Sequence, residues 1–170
     1  MMQRLLAFAA LLLLPCLAHA QNLASDAGPF EITVSGSGEN DRTFENGGLS
    51  VAGGVGFFII PELEVAVRDG VDYTGTKYNG SGWDNTVKGA IDFNLPLDHF
   101  EPYIGANIGY YASDLYRSSP EAAPEIGLKI LFTKNVFLFG QMEYDFLWHS
   151  GGADLDTGIF NYAVGIGFRF

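Results

Sequence analysis

The sequence predicts an all-β fold, an eight-stranded antiparallel up-and-down transmembrane β-barrel formed by residues 30–170. Three observations lead to this prediction. Beyond Gly28, apolar residues recur at every second position, which is the side-chain period of a β-strand. Short and long connections alternate, as in a meander whose short turns all lie at one end. One face of each run carries large apolar side chains, and the other carries glycines and charges.

Residues 1–20 precede the barrel and have the pattern of an export signal. Arg4 supplies a basic start, an apolar run follows, and a small-x-small stretch ends at Ala20. A membrane helix is disfavoured because the apolar run is too short to cross ~30 Å of hydrocarbon. Lipidation at Cys16 is disfavoured because Pro15 stands where bacterial lipoprotein sites have a small residue. We therefore expect this segment to be a cleaved signal peptide.

The charge of the chain excludes one class of partner. The sequence has 20 acidic residues against 9 basic ones, whereas nucleic-acid binding requires basic patches, so we expect no nucleic-acid partner. The single cysteine lies in the expected signal, which leaves no disulfide or cysteine-ligated metal in the mature chain. Residues 21–29 are expected to form a short periplasmic segment before the first strand.

The last run shows the alternation most clearly. One face carries Phe160, Tyr162, Val164, Ile166, Phe168 and Phe170, and the other carries Asn161, Ala163, Gly165, Gly167 and Arg169. Similar runs lie at 84–94, 103–110, 125–132 and 136–146, and less regular ones at 30–38, 48–58 and 62–72. Asp69 interrupts the pattern, so we expect a β-bulge or a strand end there.

The connections between the runs are of two kinds. Short turns are expected near 60–61, 95–98 and 133–135, and longer polar stretches at 39–47, 73–82, 113–121 and 148–157. With eight strands, both termini lie on the side of the short turns. The predicted barrel therefore has its termini in the periplasm and its four longer, acidic loops outside the cell.

The residues on the two faces of the runs indicate whether water or lipid surrounds the barrel. A soluble sandwich or lipocalin-like barrel would also alternate, but it would turn its large apolar side chains inward and its charges outward. Here the charged face also carries glycines, which leave too little bulk for an apolar core. A one-residue slip would move every inward Arg or Lys into lipid, at ~2–4 kcal/mol each near the midplane. The pattern therefore favours an apolar exterior and a polar lumen.

The charged face predicts a polar network inside the barrel. Its expected members are Glu31, Arg68, Lys88, Asp92, Asn107, Glu125, Lys129, Glu143, Asp145 and Arg169, with Glu64 as a further inward acid. Side chains fill the space in a barrel of eight strands, and buried charges need partners. The turn at 133–135 is expected to set Glu125 beside Glu143. Arg68 and Lys88 are expected to reach towards these two acids.

Two further pairings follow from the predicted turns. The turn near 97–98 is expected to set Lys88 beside Asn107, and Asp92 beside Tyr103. Barrel closure is expected to bring Glu31 near Arg169. The network is interpreted either as a polar plug that fixes the strand register or as a gate or proton path, and we favour the plug.

The C-terminal residues 162–170 resemble the assembly signal of bacterial outer-membrane barrels, with Phe168 and Phe170 at the third-from-last and last positions and Tyr162 before them. The segment 102–110 is similar to the Pro-Tyr-x-Gly-x-x-x-Gly strand of the small barrel family that includes the outer-membrane protein A transmembrane domain and outer-membrane protein X. The segment 124–129 resembles the strand that follows it. The resemblance implies a Gram-negative outer-membrane location, contact with membrane lipid and lipopolysaccharide, and insertion by the barrel assembly machinery. It implies no catalytic activity.

A lipid-modifying enzyme is the least favoured alternative. His149 and Ser150 lie near Asp145, Asp154 and Asp156 in the sequence, and outer-membrane lipid A deacylases use such side chains. Adjacent residues of a strand point to opposite faces, whereas a Ser–His pair must lie within ~2.6–3.2 Å. We therefore predict no catalytic residues.

The candidate metal ligands are weak as well. His99 lies in a turn with Asp98 and Glu101, but a metal usually needs three or four protein ligands. The loop pairs Asp154/Asp156 and Glu39/Asp41 offer oxygen ligands for Ca²⁺, yet such pairs are usually solvated loop charge. We predict neither a metal nor a cofactor.

The predicted function is non-enzymatic. We expect a monomeric barrel with a structural or surface-interaction role, a lumen filled by polar side chains, and acidic loops able to contact an extracellular ligand. The alternative is a narrow pore or a small-solute transport barrel, which requires a gap in the polar plug.

Overall fold

The computed structural model describes residues 28–40, 47–76, 80–113, 118–149, 152–153 and 158–170. Its strands are β1 (Phe30–Asn40), β2 (Gly47–Ile60), β3 (Leu63–Thr76), β4 (Gly80–Asn94), β5 (Phe100–Ser113), β6 (Ser119–Leu131), β7 (Val136–His149), β8 (Gly152–Ala153) and β9 (Ile159–Arg169). In this part of the chain, no helix is long and apolar enough to cross a membrane. The expected signal peptide and most of the expected periplasmic segment lie outside the described residues.

Eight of the strands close into a barrel. Each of β1 to β6 pairs antiparallel with the next strand in the sequence, β7 pairs with β9, and β9 pairs back onto β1. The two-residue β8 pairs only with the end of β7. This closed antiparallel meander confirms the predicted fold class.

The exterior of the barrel is apolar. Large hydrophobic side chains on alternate positions are exposed on every barrel strand, and Ile108, for example, is 67% exposed. The opposite positions face the lumen, where Phe137 is only 1% exposed. Exposed phenylalanine residues lie near the short turns; they are Phe30, Phe57, Phe93, Phe100, Phe132, Phe168 and Phe170. An outward apolar band with aromatic ends is the exterior of a barrel that is surrounded by lipid.

The turn between β4 and β5 lies one residue later than predicted. Leu97 and Phe100 exchange two backbone hydrogen bonds, which places Asp98 and His99 at the tip of the turn. Asp98 has a φ of 54°, a conformation that Asp tolerates better than most residues. A shift of one residue in the centre of a turn moves the register of the ladder by two residues and leaves every side chain on its predicted face.

Two predicted pairings are therefore wrong. Lys88 lies opposite Gly109 and not Asn107, and Asp92 lies opposite Gly105 and not Tyr103. Both glycines make room for the opposing side chain. A Cβ added to Gly105, for example, would come within 1.9 Å of Asp92 Oδ1.

The predicted irregularity at Asp69 is also wrong. Asp69 pairs regularly with Gly53 on one side and Val87 on the other, and the register shift of β2 and β3 lies instead between Phe58 and Ile60. The Asp69 side chain faces outward, where the Asn85 side-chain amide donates to its Oδ1 over 2.8 Å. This hydrogen bond allows a polar residue on the apolar face without a break in the strand.

Several strands run further towards the loops than predicted. β3 continues to Thr76 and β4 begins at Gly80, within the stretch 73–82 that was expected to be a loop. β6 likewise begins at Ser119 and includes Glu121 on its lumen face. Backbone pairing needs no apolar side chains, so a ladder continues beyond the apolar band where the hydrophobic pattern has already ended.

Candidate functional site

The lumen holds all ten residues of the predicted polar network. They lie on seven of the eight barrel strands. Three of the ion pairs among them, Arg68–Glu125, Lys88–Glu143 and Lys129–Glu31, connect strands that are three apart around the ring. We describe these contacts as three layers, from the short-turn end of the barrel to the loop end.

The layer at the short-turn end, which is the end predicted to face the periplasm, is called the periplasmic layer here and centres on Arg169 and Lys129. Arg169 Nη2 lies 2.8 Å from Glu31 Oε2 and 2.8 Å from Glu101 Oε1. Lys129 Nζ lies 2.9 Å from both Glu31 Oε1 and Glu64 Oε2. All five side chains are buried. Because the five residues come from five different strands, the layer connects opposing walls of the barrel.

Aromatic rings pack around the same layer. The Arg169 guanidinium carbon lies 4.2 Å from the centre of the Phe58 ring, and Lys129 Nζ lies 5.3 Å from the centre of the Phe137 ring. Cations over ring faces gain a favourable electrostatic interaction, particularly when desolvated. Aromatic rings and ion pairs therefore lie together across this end of the lumen.

The middle layer centres on Arg68. Its Nη2 lies 2.5 Å from Asp92 Oδ2, and its Nη1 lies 2.7 Å from Glu125 Oε1. The Asn107 amide donates to Glu125 over 2.6 Å and to Glu143 over 2.9 Å. Asn107 thus connects two carboxylates that face each other across the β6–β7 ladder, where like charges would otherwise destabilise the pair.

The outer layer centres on Lys88. Its Nζ lies 2.8 Å from Glu143, 2.9 Å from Asp145 and 3.2 Å from Glu121. The Asn161 amide donates a further hydrogen bond to Asp145. The ammonium group of Lys88 therefore forms ion pairs with three carboxylates.

The side chains do not fill the whole lumen. A cavity of about 660 Å³ lies beside the network and reaches from the level of Glu31 to the level of Thr74. Besides charged residues, its walls on β1 to β4 carry many small or hydroxyl-bearing residues: Thr33, Ser35, Ser37, Ser50, Ala52, Ala66, Gly70, Thr74 and Thr86. We call this space the lumenal cavity.

Four acids in the described part of the lumen were missing from the predicted network: Asp72, Asp84, Glu101 and Glu121. Glu101 shares its strand face with Tyr103 and Asn107, so the parity of the strand pointed to the lumen although the residue was assigned to a turn. Glu121 was assigned to a loop that the structure shows to be strand. Asp84 lies on the same face of β4 as Lys88, and this spacing in the sequence was sufficient to predict that it faces the lumen.

The candidate catalytic and metal residues do not form a site in the described structure. His149 ends β7, but its side chain, Ser150 and both acids of the pair Asp154/Asp156 lie outside the described residues. The same holds for Asp41 and for the side chain of Glu39. His99 Nε2 lies 3.7 Å from Asp98 Oδ2 on the surface, and Glu101 turns away from both into the lumen. Among the described residues, no group of three His, Cys, Asp or Glu side chains is arranged to hold a metal ion.

The aromatic residues of the predicted assembly signal lie on the outside of the barrel. Tyr162, Phe168 and Phe170 are all exposed on the lipid-facing side of β9 or directly after it. The Phe170 ring stacks on the Phe30 ring at 6.1 Å, and the two residues exchange backbone hydrogen bonds across the closing seam.

Solved structures with the same fold include small outer-membrane barrels. Neisserial surface protein A matches 85% of this chain and 99% of its own, with 14% identity and a TM-score of 0.64. The outer membrane protein OprG from Pseudomonas aeruginosa matches 88% and 99%, with 12% identity and a TM-score of 0.56. The Yersinia pestis outer membrane protein Ail matches 84% and 99%, with 15% identity and a TM-score of 0.55. No protein-family model and no curated protein matches the sequence.

At these identities the likeness establishes the fold. It confirms, at the level of architecture, the resemblance to small outer-membrane barrels that the terminal strand suggested. The outer-membrane location predicted from the sequence is supported by this fold and by the apolar exterior together.

Proposed function

We propose that this chain is an integral outer-membrane protein with a structural or surface-interaction role, and that its lumen does not conduct ions. The observation that carries the proposal is the periplasmic layer, in which Arg169 and Lys129 bind Glu31, Glu64 and Glu101 across the lumen. An ion that passes through would have to separate these buried pairs, and a member of a buried ion pair that is left without its partner costs ~3–5 kcal/mol.

Planar-bilayer recording on the purified protein tests this proposal. We expect no steady unit conductance, because the buried ion pairs of the periplasmic layer lie across the lumen. A heat-modifiability gel on the same sample shows that the barrel is folded, and a pore-forming peptide added at the end shows that the bilayer could report a current. A steady conductance from folded protein would overturn the proposal.

A narrow route for small solutes is the second candidate function, and the lumenal cavity is the observation that favours it. Transport would require the periplasmic layer to open in response to a solute or to the membrane. Uptake of a small solute into liposomes that contain the folded protein, above the rate of empty liposomes, would favour transport over the closed barrel.

The remaining assignments belong to the same proposal. The protein acts as a monomer in contact with lipid and lipopolysaccharide, and it has no enzymatic activity, metal or cofactor. Its C-terminal strand engages the barrel assembly machinery through Phe168 and Phe170. Its acidic loops contact an extracellular ligand, which is the usual role of loops on a rigid scaffold.

A further inference from the structure

The loop half of the lumenal cavity carries more carboxylates than cations. The acids Asp72, Asp84, Glu121, Glu143 and Asp145 line it, together with the single ammonium of Lys88. The other two cations that line the cavity are engaged elsewhere, because Arg68 binds Asp92 and Glu125 while Lys129 binds Glu31 and Glu64.

Lys88 does not serve the carboxylates of Asp72 and Asp84. Its ammonium has three hydrogens, and its three ion-pair partners are Glu121, Glu143 and Asp145. Within the described chain, neither Asp72 nor Asp84 forms an ion pair. Among the residues that the structure describes, these two acids of the cavity therefore have no cation partner.

The surroundings of the Asp84 side chain independently indicate that a cation partner is missing. Asp84 is only 5% exposed, it lines the cavity, and its Oδ1 has no hydrogen-bond partner among the described residues. Asp72 lies directly opposite it in the β3–β4 ladder, on the same lumen face. Like charges directly opposite each other in a ladder are destabilising, and a buried carboxylate oxygen without a donor is costly. A cation bound between the two residues would offset their repulsion and compensate the buried negative charge of Asp84.

We propose that the lumenal cavity is a binding site for a small organic cation, an aliphatic amine whose ammonium group lies between Asp72 and Asp84. The volume of about 660 Å³ lies within the ~300–1,000 Å³ of ordinary small-molecule sites. A metal ion fits less well, since no three acid or imidazole groups of the described chain are arranged to ligate one. The hydroxyls of Thr74 and Thr86 line the same region and offer acceptors to further N–H groups.

Three four-carbon probes that differ in charge test the proposal: 1,4-diaminobutane, 1,4-butanediol and succinate. Each is titrated calorimetrically into the folded protein, extracted from membranes in non-ionic detergent. We expect the diamine to bind at least about tenfold more tightly than the diol, because charge-assisted hydrogen bonds are the stronger ones, and we expect no binding of succinate. Equal binding of diamine and diol, or no detectable binding of the diamine at millimolar concentration, would overturn the proposal.

Two matched variants locate the site. Asp84→Asn is expected to weaken diamine binding about tenfold, since it removes the charge and keeps the size of the side chain. Asp69→Asn is the control, because Asp69 lies on the neighbouring strand β3 but faces outward, and its binding should equal that of the unchanged protein. An equal loss of diamine affinity in both variants, or no loss in Asp84→Asn, would contradict the assignment of the site to Asp84. If the heat-modifiability gel shows that Asp84→Asn does not fold, the comparison of diamine with diol binding by the unchanged protein still tests the proposal.

This inference goes beyond the proposed closed barrel, and the two can fail separately. A protein that conducts would refute the closed barrel whether or not it binds amines. A barrel that does not conduct and does not bind the diamine would refute only the proposed cation site.

Discussion

Arg169 on the last barrel strand binds Glu31 on the first, with Nη2 2.8 Å from Oε2, and the two residues are direct partners in the β1–β9 ladder. The same guanidinium reaches Glu101 on β5, three strands further around the ring. One side chain thus connects the closing seam of the barrel with its far wall. The N-terminal and C-terminal strands are held by this contact as well as by their backbone hydrogen bonds.

We predict that Arg169→Met strongly destabilises the barrel. The variant keeps the length of the side chain but leaves Glu31 and Glu101 buried without this cation, and loss of one partner of a buried pair costs ~3–5 kcal/mol. The measurement is the free energy of unfolding in urea, in lipid vesicles. Lys134→Met, in the exposed turn between β6 and β7, is the control and should change stability by less than about 0.5 kcal/mol. A loss below about 1 kcal/mol for Arg169→Met would show that the contact contributes little to closure.

We predict that Gly167→Ala is destabilising because the added methyl group meets an aromatic ring. A Cβ at Gly167 would lie 2.0 Å from Cζ of Phe137, which faces it across the β7–β9 ladder and is 1% exposed. Overpacking of this kind typically costs ~1–3 kcal/mol. The double variant Gly167→Ala/Phe137→Leu should recover part of the loss, and urea unfolding measures both.

Gly140→Ala is the matched control for this substitution. Gly140 lies in the same ladder, and a Cβ there has no heavy atom within 4 Å. The alanine restricts the unfolded chain, so it should be neutral or stabilise by up to ~1 kcal/mol. Equal destabilisation by both alanines would mean that loss of glycine itself, and not the contact with Phe137, is responsible.

The alternation of apolar and polar residues was enough to predict the barrel and the face of each network residue. A two-residue period fixes the direction of every side chain, and an error of one residue in the centre of a turn does not alter it. The inward direction of Lys88 was therefore correct although its ladder partner was wrong. Its distance to Glu143 depends on the curvature of the closed sheet, which no local pattern contains.

Two features could not be read from the sequence for physical reasons. The extent of the strands beyond the lipid depends on backbone pairing, which leaves no hydrophobic trace, so Glu121 was assigned to a loop. The lumenal cavity depends on the summed volume of small residues from several strands, among them Ser35, Ala52 and Thr86. Each of these residues is unremarkable alone, and only the closed ring places them around one space.

We predict that Asp69→Val stabilises the barrel. Asp69 is exposed on the lipid-facing side, between Val67 and Val71 on the same face of β3. A charge on that side is unfavourable to a degree that depends on depth, and acids cost less than the ~2–4 kcal/mol of basic residues, so a gain of about 1 kcal/mol is expected. Asn85 keeps its hydrogen bond to the Gly70 carbonyl at 3.0 Å. Urea unfolding in vesicles measures the gain, and Asp69→Asn should give a smaller one. A loss of stability in Asp69→Val would instead assign Asp69 a stabilising role through Asn85.

The last prediction separates assembly in the cell from stability of the finished barrel. Phe170→Ser removes the terminal ring but keeps the backbone hydrogen bonds that Phe170 exchanges with Phe30. If the assembly machinery recognises the terminal aromatic residue, the amount of folded protein in the outer membrane should fall several-fold. The free energy of unfolding in vesicles should change by only about 1–3 kcal/mol, the value of the two aromatic pairs that Phe170 forms with Phe30 and Phe168. Phe132→Ser is the control, since Phe132 is also an exposed ring near the short turns and lies outside the terminal signal. Equal losses of folded protein in the two variants would mean that the terminal phenylalanine acts only as part of the aromatic girdle.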